Sequence, residues 1–383
     1  MHLRWLEFVL AGFAVCGIAY YGLCVASTIA FWFHVRPRAA SRFTPGVSIL
    51  KPVHGTDPGA YESFRSHCLQ DYPEYEIIFG VNDMSDSAVP LIEQLMREFP
   101  VRSIKLIACP EALGMNRKVS NLVQMLRGAK YEYILVNDGD IRVPCEYLRR
   151  VLAPFESESV GLVTCLYRGI AAPTLGSRLE ALGISTDFSA GVLTARMIEG
   201  GIRFGLGSTL ATSRKALSTI GGLEPLVDYL ADDYELGERI ARAGLQVVLA
   251  DVTVETYVPA YKLKDFLLHQ MRWARSTRDS RPRGYAGLLL TFGLPWALLA
   301  ALAARSAAWS WKLLAAAVVA RLLMALTVGL GELRDRQVLR HLILLPLRDL
   351  VALGVWAASF AGHKVNWRGT YFILEDGKLR PAA

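Results

Sequence analysis

Three carboxylate groupings and one cationic, aromatic stretch carry the residue types that chemistry needs. Asp138-Gly139-Asp140 follows the apolar run Tyr133 to Val136 and precedes Ile141-Arg142-Val143. Two carboxylates separated by one small residue at a strand end can bind a hard divalent cation, Mg2+ or Mn2+, which can neutralise a departing diphosphate. Asp and Gly also favour turns, so the triplet alone reads as a turn, and its strand-end position is what favours the metal. Asp83, with Asp86 nearby, closes the run from Glu76. It can accept hydrogen bonds from a uracil or ribose edge, or cap the helix around Leu91. Asp232-Asp233 precedes a helical run containing Leu236, Ile240 and Ala243. Asp233 can take a proton from an alcohol on the side opposite a leaving group, or the pair can cap the helix and favour its dipole. His269-Gln270-Met271-Arg272-Trp273 sets a guanidinium able to bind diphosphate beside an indole able to pack on a ligand. Its plain alternative is anchoring at a membrane interface.

These residues need a frame. Val47 to Val53, Glu76 to Asp83, Ile104 to Cys109 and Tyr133 to Asp140 are apolar, β-branched runs ending in polar turns, and they read as buried strands. Between them Tyr61 to Leu69, Leu91 to Phe99 and Lys118 to Leu126 place apolar residues at helical spacing. That alternation predicts an α/β fold, a largely parallel sheet covered by helices. Ligands in such sheets sit beyond the carboxyl ends of the strands, where Asp83, Asp138 and Asp140 fall. Further on, Val160 to Arg168, Ser208 to Leu217 and Val247 to Thr256 read as strands and Leu236 to Ala243 as a helix.

The chain has 383 residues, 52% hydrophobic and 20% charged, too apolar for an ordinary soluble enzyme and too charged for a pure membrane bundle. Phe8 to Phe33 carries no charged side chain and is long enough to cross a membrane. It exceeds the apolar core of a signal peptide, so a retained anchor over residues 1–41 is expected. Tyr285 to Ala304 reads as the clearest later span. Leu313 to Leu330 contains Arg321, and Leu342 to Ala361 contains Arg348 and Asp349 and is the weakest. Membrane helices are therefore expected over 285–361 and a tail over 362–383. Arg36, Arg38 and Arg42 follow the first span and only Arg4 precedes it, which sets the domain at 42–262 in the cytosol.

The net charge of +7 is concentrated at 263–284 and its border, where Lys262, Lys264, Arg272, Arg275, Arg278, Arg281 and Arg283 alternate with Phe266, Leu267, Met271 and Trp273. A basic amphipathic segment beside a span suits anionic headgroups better than nucleic acid, so no nucleic-acid partner is expected. Six scattered cysteines without Cys-x-x-Cys spacing argue against a zinc site or disulfide framework.

In this order and spacing the motifs resemble the ceramide glucosyltransferase family, glycosyltransferase family 21, related to family 2. The resemblance runs through VSILKPVHGTDP, CLQDYPEYEIIFGVND, LGMNRKVSNL, VNDGDIRV, LADDYELG, HQMRW and the tail WRGTYFIL from Trp367. It implies a nucleotide-diphospho-sugar transferase fold of the GT-A type. By that likeness Asp83 contacts the nucleotide, Asp138 belongs to the metal and diphosphate site, Asp233 is the base, and Arg272 with Trp273 completes the closing motif. Asp140 departs from the family by supplying a fuller Asp-x-Asp than ceramide-specific members show, which favours a metal held by Asp138 and Asp140. Lys118 is expected to bring positive charge to the donor phosphates. His269 stands where the family motif has Gln or Arg, with Gln270 one residue late. Residues between Arg168 and Ser208 look like the bacterial branch, which includes hopanoid glycosyltransferases, and imply a bacterial inner membrane.

The combined expectation is an inverting transfer of a hexose or N-acetylhexosamine from a UDP-sugar to a lipid hydroxyl, ceramide or a hopanoid such as bacteriohopanetetrol. Two rivals stay open. A processive polysaccharide synthase also carries the aspartates and Arg-Trp, yet three later spans are few for a polymer channel. A lipid carrier or transporter could use Arg321, Arg348 and Asp349, charges inside spans being functional candidates, though it has no need of the large polar domain.

Overall fold

The computed structural model describes residues 2–34, 42–305, 307–367 and 369–381. Arg36, Arg38, Arg368 and the side chain of Arg4 lie outside the described residues. The first element is helix α1 (His2–His34), of which Trp5–His34 is long and apolar enough to cross a membrane.

Four parallel strands follow, interleaved with helices as the periodicity predicts: β1 (Val47–Pro52), α2 (Ala60–Cys68), β2 (Tyr75–Val81), α3 (Val89–Glu98), β3 (Ser103–Ala108), α4 (Arg117–Arg127) and β4 (Tyr133–Val136). Successive side chains of a strand point to opposite faces. Ile49, Ile77 and Leu135 pack on Phe64, Ile92 and Leu95 of α2 and α3, whereas Leu50, Ile78 and Ile134 pack on Leu122, Val123 and Met125 of α4. The second layer continues into Tyr21, Cys24 and Phe31 of α1 and into Met324 and Val328. The sheet domain and the apolar helices thus share one core.

The chain then adds β5 (Ile141–Arg142), α5 (Tyr147–Leu152), β6 (Val160–Thr164), β7 (Tyr167–Ala171), α6 (Leu175–Gly183), a π-helical turn over Ile184–Phe188 and α7 (Ser189–Ile198). After these come β8 (Leu210–Ser213), α8 (Arg214–Ser218), α9 (Asp232–Arg242), β9 (Gln246–Leu249) and β10 (Val254–Val258). The main sheet runs β3-β2-β1-β4-β8-β6-β9, with β8 antiparallel to both neighbours. A second sheet, β5-β10-β7, flanks it.

Two long runs expected as single strands are each two strands in different sheets. Residues 160–168 divide into β6 and β7, and residues 247–256 into β9 and β10. The parallel pairs β6/β9 and β7/β10 leave one sheet and enter the other together, held across the step by the Ala250 N–H on Thr164 O and the Val254 N–H on Leu166 O. Ser208 to Leu217 is also shorter as a strand than expected. Ser213 accepts the Ala216 N–H and caps α8, which ends β8 there.

The C-terminal part contains α10 (Leu263–Ser280), α11 (Pro282–Gly287), α12 (Gly293–Ala303), α13 (Ala308–Ala325), α14 (Gln337–His341) and α15 (Leu345–Ser359). Ala308–Glu332 and Gln337–Ser359 are each long and apolar enough to span. The stretch expected as the clearest later span is instead broken: Pro282–Thr291 and Gly293–Ala303 meet at a 50° bend. A Cβ on Gly17 would lie 2.2 Å from Gly293 Cα, so the two backbones touch at the bend, and Tyr21 Oη accepts the Leu294 N–H at 3.0 Å. Among the described residues there are three such spans, or four if the bent pair counts as one.

The charges inside the spans pair. Arg321, 1% exposed, grips both oxygens of Asp349 at 2.9 Å and also reaches Asp187 in the π-helical turn. Several basic residues of α10 and its border are likewise engaged within the protein. Arg275 donates to Lys364 O and Ala361 O, Arg278 to Ser359 O and Gly362 O, and Arg281 pairs with Glu199. These carbonyls lead into an antiparallel meander of β11 (Lys364–Trp367), β12 (Thr370–Glu375) and β13 (Lys378–Pro381).

Candidate active site

The site forms where β1 and β4 end side by side. Asn137, just past β4, donates to Tyr147 Oη at 2.9 Å and to Ser208 O at 2.6 Å, which draws the 205–208 segment over the strand end. Next come Asp138 and Asp140. Lys51, a fully buried lysine near the end of β1, donates to Asp138 O at 3.0 Å. Burial pushes its ammonium down to about 7, against the opposing pull of Asp140 and then Asp138. Thr256 on β10 donates its hydroxyl to Asp140 Oδ2. Burial, reinforced by Asp138, pushes the Asp140 carboxyl up to about 6.

Lys118 arrives from the opposite side. Asn116 caps α4 by accepting the Val119 N–H, and donates to Tyr229 O and Asp232 Oδ1. This ties the start of α4 to the start of α9 and sets Lys118 Nζ 2.8 Å from Asp138 Oδ1 and 3.2 Å from Asp232 Oδ2. Burial alone would lower the Lys118 pKa, but Asp138, Asp232 and Asp233 together raise it above the usual lysine range.

Asp233 lies in the first turn of α9, whose cap position is Ala231, so its carboxylate is not the cap. It accepts the Gly207 N–H at 2.7 Å and the Tyr234 N–H at 2.8 Å. Burial, then repulsion from Asp232, pushes it up to about 6 against the pull of Lys118. A Cβ on Gly207 would lie 3.1 Å from Asp233 Oδ2 and 3.2 Å from Asp138 Oδ2. The two carboxylates therefore border the same small space.

Asp83 stands apart. It is exposed past the end of β2, and its Oδ1 accepts the Ser85 N–H at 2.6 Å. With β1 between β2 and β4, it lies two strand spacings of ~4.8 Å from the Asp138 strand. The helix-start bonds considered for Asp83 belong to Asp86, which accepts the Ala88 and Gly55 N–H groups.

The Arg272-Trp273 motif flanks the carboxylates through aromatic contacts. Trp273 packs on Phe188 at 5.9 Å and on His269 at 5.3 Å, and Phe188 meets Tyr167 at 5.3 Å. Tyr167 is buried; burial first, then Asp233, Glu180, Asp138 and Asp140, hold its phenol protonated. Burial and Glu180 push Tyr261 up to about 12, with Arg272 opposing and Asp140 adding to the rise. Arg272, Glu180 and Asp140 thus all act on one tyrosine.

Sequence reasoning did not single out Lys51, Glu180 or Gly207. Glu180 on α6 is 2% exposed, accepts from Gln270 Nε2 at 2.7 Å and has His269 Nδ1 3.2 Å away, out of line for a hydrogen bond. The two residues that depart from the family motif therefore hold a common carboxylate. A lysine inside the apolar run VSILKPV was the available signal for Lys51; nothing in the sequence pointed to Glu180.

Four aspartates, Asp138, Asp140, Asp232 and Asp233, lie around two ammonium groups, Lys51 and Lys118. That surplus, with Asp138 and Asp140 one residue apart, fits a hard divalent cation. Among the described residues no three metal-ligating side chains converge, so such a cation would complete its shell with phosphate and water. All six cysteines are free thiols.

The model of glycosyl transferase family 21 matches residues 9–380, nearly the whole chain. The chain belongs to that family. Relatives include ceramide glucosyltransferase 3 of Caenorhabditis elegans, 28% identical over 60% of this chain and 50% of that protein. The β-monoglucosyldiacylglycerol synthase of Synechocystis sp. is 23% identical over 45% of this chain and 35% of that one. The matched region spans about half the length of the first curated relatives. Among solved structures, the mannosyltransferase PcManGT from Pyrobaculum calidifontis, in complex with GDP-Man and Mn2+, superposes with a TM-score of 0.53. It is 17% identical and aligned over 92% of this chain and 99% of that one. The family 21 member has the GT-A glycosyltransferase fold with membrane helices attached.

Proposed function

We propose that this chain is an inverting glycosyltransferase that moves a hexose or N-acetylhexosamine from a UDP-sugar to the hydroxyl of a membrane lipid, ceramide or a hopanoid. The observation that carries the reading is the shared space beside Gly207, bordered by Asp138 on one side and Asp233 on the other. Asp233 takes the proton of the lipid hydroxyl. The oxygen then forms its bond to the anomeric carbon as the bond to the diphosphate oxygen breaks, and the electron pair leaves with the nucleotide. Inversion follows from a single displacement. Lys118 and Arg272 hold the phosphates and Asp83 contacts the nucleotide. Asp138 and Asp140 would hold Mg2+ or Mn2+, which when bound supplies charge to the diphosphate. Trp273 packed on Phe188 offers apolar surface suited to a lipid acceptor.

The relatives named as ceramide glucosyltransferase and glucosyldiacylglycerol synthase support a lipid acceptor. The basic residues after α1 support a cytosolic domain on a bacterial inner membrane, where UDP-sugars are available. The domain boundaries follow the same reading: an anchor over 1–41, a transferase domain over 42–262, an interfacial segment over 263–284, membrane helices over 285–361 and a tail over 362–383.

The test incubates purified protein in detergent with UDP-glucose or UDP-N-acetylglucosamine, ceramide or bacteriohopanetetrol, and with or without a divalent cation. Lipid products are read by mass spectrometry for wild type and Asp233→Asn. A glycolipid made by wild type alone supports the transferase and names its substrates. Equal product from the variant removes Asp233 from the role of base, and a polymeric product favours the synthase reading.

A further inference from the structure

A second polar cavity lies where the end of β7 meets α6 and α14. It has a volume of about 220 Å³ and is lined by Arg178, Gln337, Arg340 and His341 with the segment Ala171–Pro173. No carboxylate lines it. Among the described residues neither Arg178 nor Arg340 makes an ion pair or a side-chain hydrogen bond. Asp335, the acid nearest in sequence to Arg340, is 3% exposed and spends its oxygens on Ser185 Oγ and the Gln337 N–H. Two guanidinium groups and an imidazole therefore face one recess with no carboxylate in its lining, and the acid whose charge reaches His341, Asp335, is buried behind it.

The recess is held in shape. Gln337 accepts the Ala171 N–H at 3.0 Å and donates to Gly169 O at 2.9 Å, which fixes α14 against β7. Ser177 accepts the Ala172 N–H at 2.8 Å and fixes the other wall. Its position is equally specific. Gln337 opens the apolar stretch Gln337–Ser359, and Ala308–Glu332 closes a few residues earlier, so the cavity sits at the domain-side end of two spans. Arginines at such an end face the phosphates of a bilayer. The volume suits a small anion rather than a drug-sized ligand.

We propose that this cavity binds a phosphate group, with Arg178 and Arg340 as its charged donors. Two guanidinium forks match the oxygens of a phosphate mono- or diester, and Gln337 and His341 complete the polar wall. The site shares no lining residue with the Asp138–Asp233 recess.

The experiment uses the full chain in nanodiscs of phosphatidylcholine. Phosphatidylglycerol in the disc and inorganic phosphate in solution are titrated separately, with the thermal midpoint as readout. Wild type should show a saturable rise. Arg178→Gln/Arg340→Gln should weaken the apparent affinity about tenfold, the effect of losing ~1.4 kcal/mol of binding. Its midpoint in phosphatidylcholine alone should match wild type, and if it does not, Arg178→Lys/Arg340→Lys keeps the charge and should keep most of the rise. Removing two exposed charges elsewhere, Arg97→Gln/Lys215→Gln, should leave the response intact. A rise with phosphatidylglycerol alone identifies a lipid headgroup, and a rise with inorganic phosphate as well identifies a site open to free phosphate. No rise in wild type with either probe, or an equal rise in the double glutamine variant, overturns the proposal.

Discussion

The Gly207 N–H donates to Asp233 Oδ2 at 2.7 Å, and the same residue's Cα hydrogens point between Asp233 and Asp138. A methyl group there would stand 3.1 and 3.2 Å from the two carboxylate oxygens, tighter than ordinary carbon–oxygen contact. Gly207→Ala should therefore displace Asp233 or Asp138 and cost on the order of 100-fold in kcat, the usual penalty for a small misplacement at a reacting centre. Steady-state turnover beside an unchanged far-UV circular dichroism spectrum checks this.

Asp233→Asn should separate activity from stability. Losing a general base costs roughly 10²- to 10⁴-fold in kcat. The carboxyl is pushed up to about 6 in the folded chain, so its ionised form is disfavoured by folding. The neutral amide removes that repulsion with Asp232. Thermal unfolding at pH 7.5 should show a midpoint equal to wild type or about 2 °C higher. A midpoint far below wild type would mean that the lost activity reports misfolding.

The pH dependence has two parts of opposite sign. In its proposed role as base Asp233 must be ionised, so kcat/KM should fall tenfold per pH unit below about 6. For stability, Asp140 and Asp233 both rise from about 4 to about 6 on folding, so the folded chain holds more protons between those values. Their contribution is fully present below pH 4 and is lost as pH rises through 6. The difference in denaturation midpoint between wild type and Asp140→Asn/Asp233→Asn should shrink on moving from pH 7 to pH 4. A constant difference would contradict the assignment.

Arg321 and Asp349 should behave as a unit. Removing Arg321 leaves Asp349 and Asp187 without their shared guanidinium, and removing Asp349 leaves Arg321 with Asp187 alone; either costs up to about 3–5 kcal/mol, whereas an apolar pair at 321 and 349 leaves only Asp187, which Arg348 also faces. Arg321→Met and Asp349→Leu should each lower the thermal midpoint in detergent sharply, and the double variant should recover part of the loss. Additive losses would show that the two do not share an interaction.

The strand and helix alternation from Val47 to Val136 was legible because the central strands β1 and β2 are buried on both faces and the helices between the strands each have one apolar stripe. The step from β6 to β7 was not, since an apolar run carries no mark of where it changes sheet; that is decided by pairing with β9 and β10, more than 80 residues away. The break between α11 and α12 was hidden for a related reason. Hydropathy counts apolar residues, but the bend depends on the approach of Gly17 from the other end of the chain. At the site, Asp138, Asp140 and Asp233 declared themselves as carboxylates near element ends. Lys51 and Glu180 lie inside apolar segments, and their role exists only once β1 meets β4 and α6 meets α10.

The terminal meander has a consequence for when the enzyme becomes competent. Leu379 N–H donates to Asp228 O at 2.7 Å and Leu230 N–H to Gly377 O at 3.0 Å, and Leu230 packs with Val365, Leu374 and Leu379. The loop that delivers Asp232 and Asp233 is thus braced by residues translated after every apolar helix. Those residues leave the ribosome last, so the segment that carries Asp232 and Asp233 gains this brace only once the rest of the chain has been made. A chain ending at Ala361 should insert but transfer no sugar, and adding residues 362–381 as a separate peptide should restore a measurable fraction. Synthesis order would then keep a half-made chain silent.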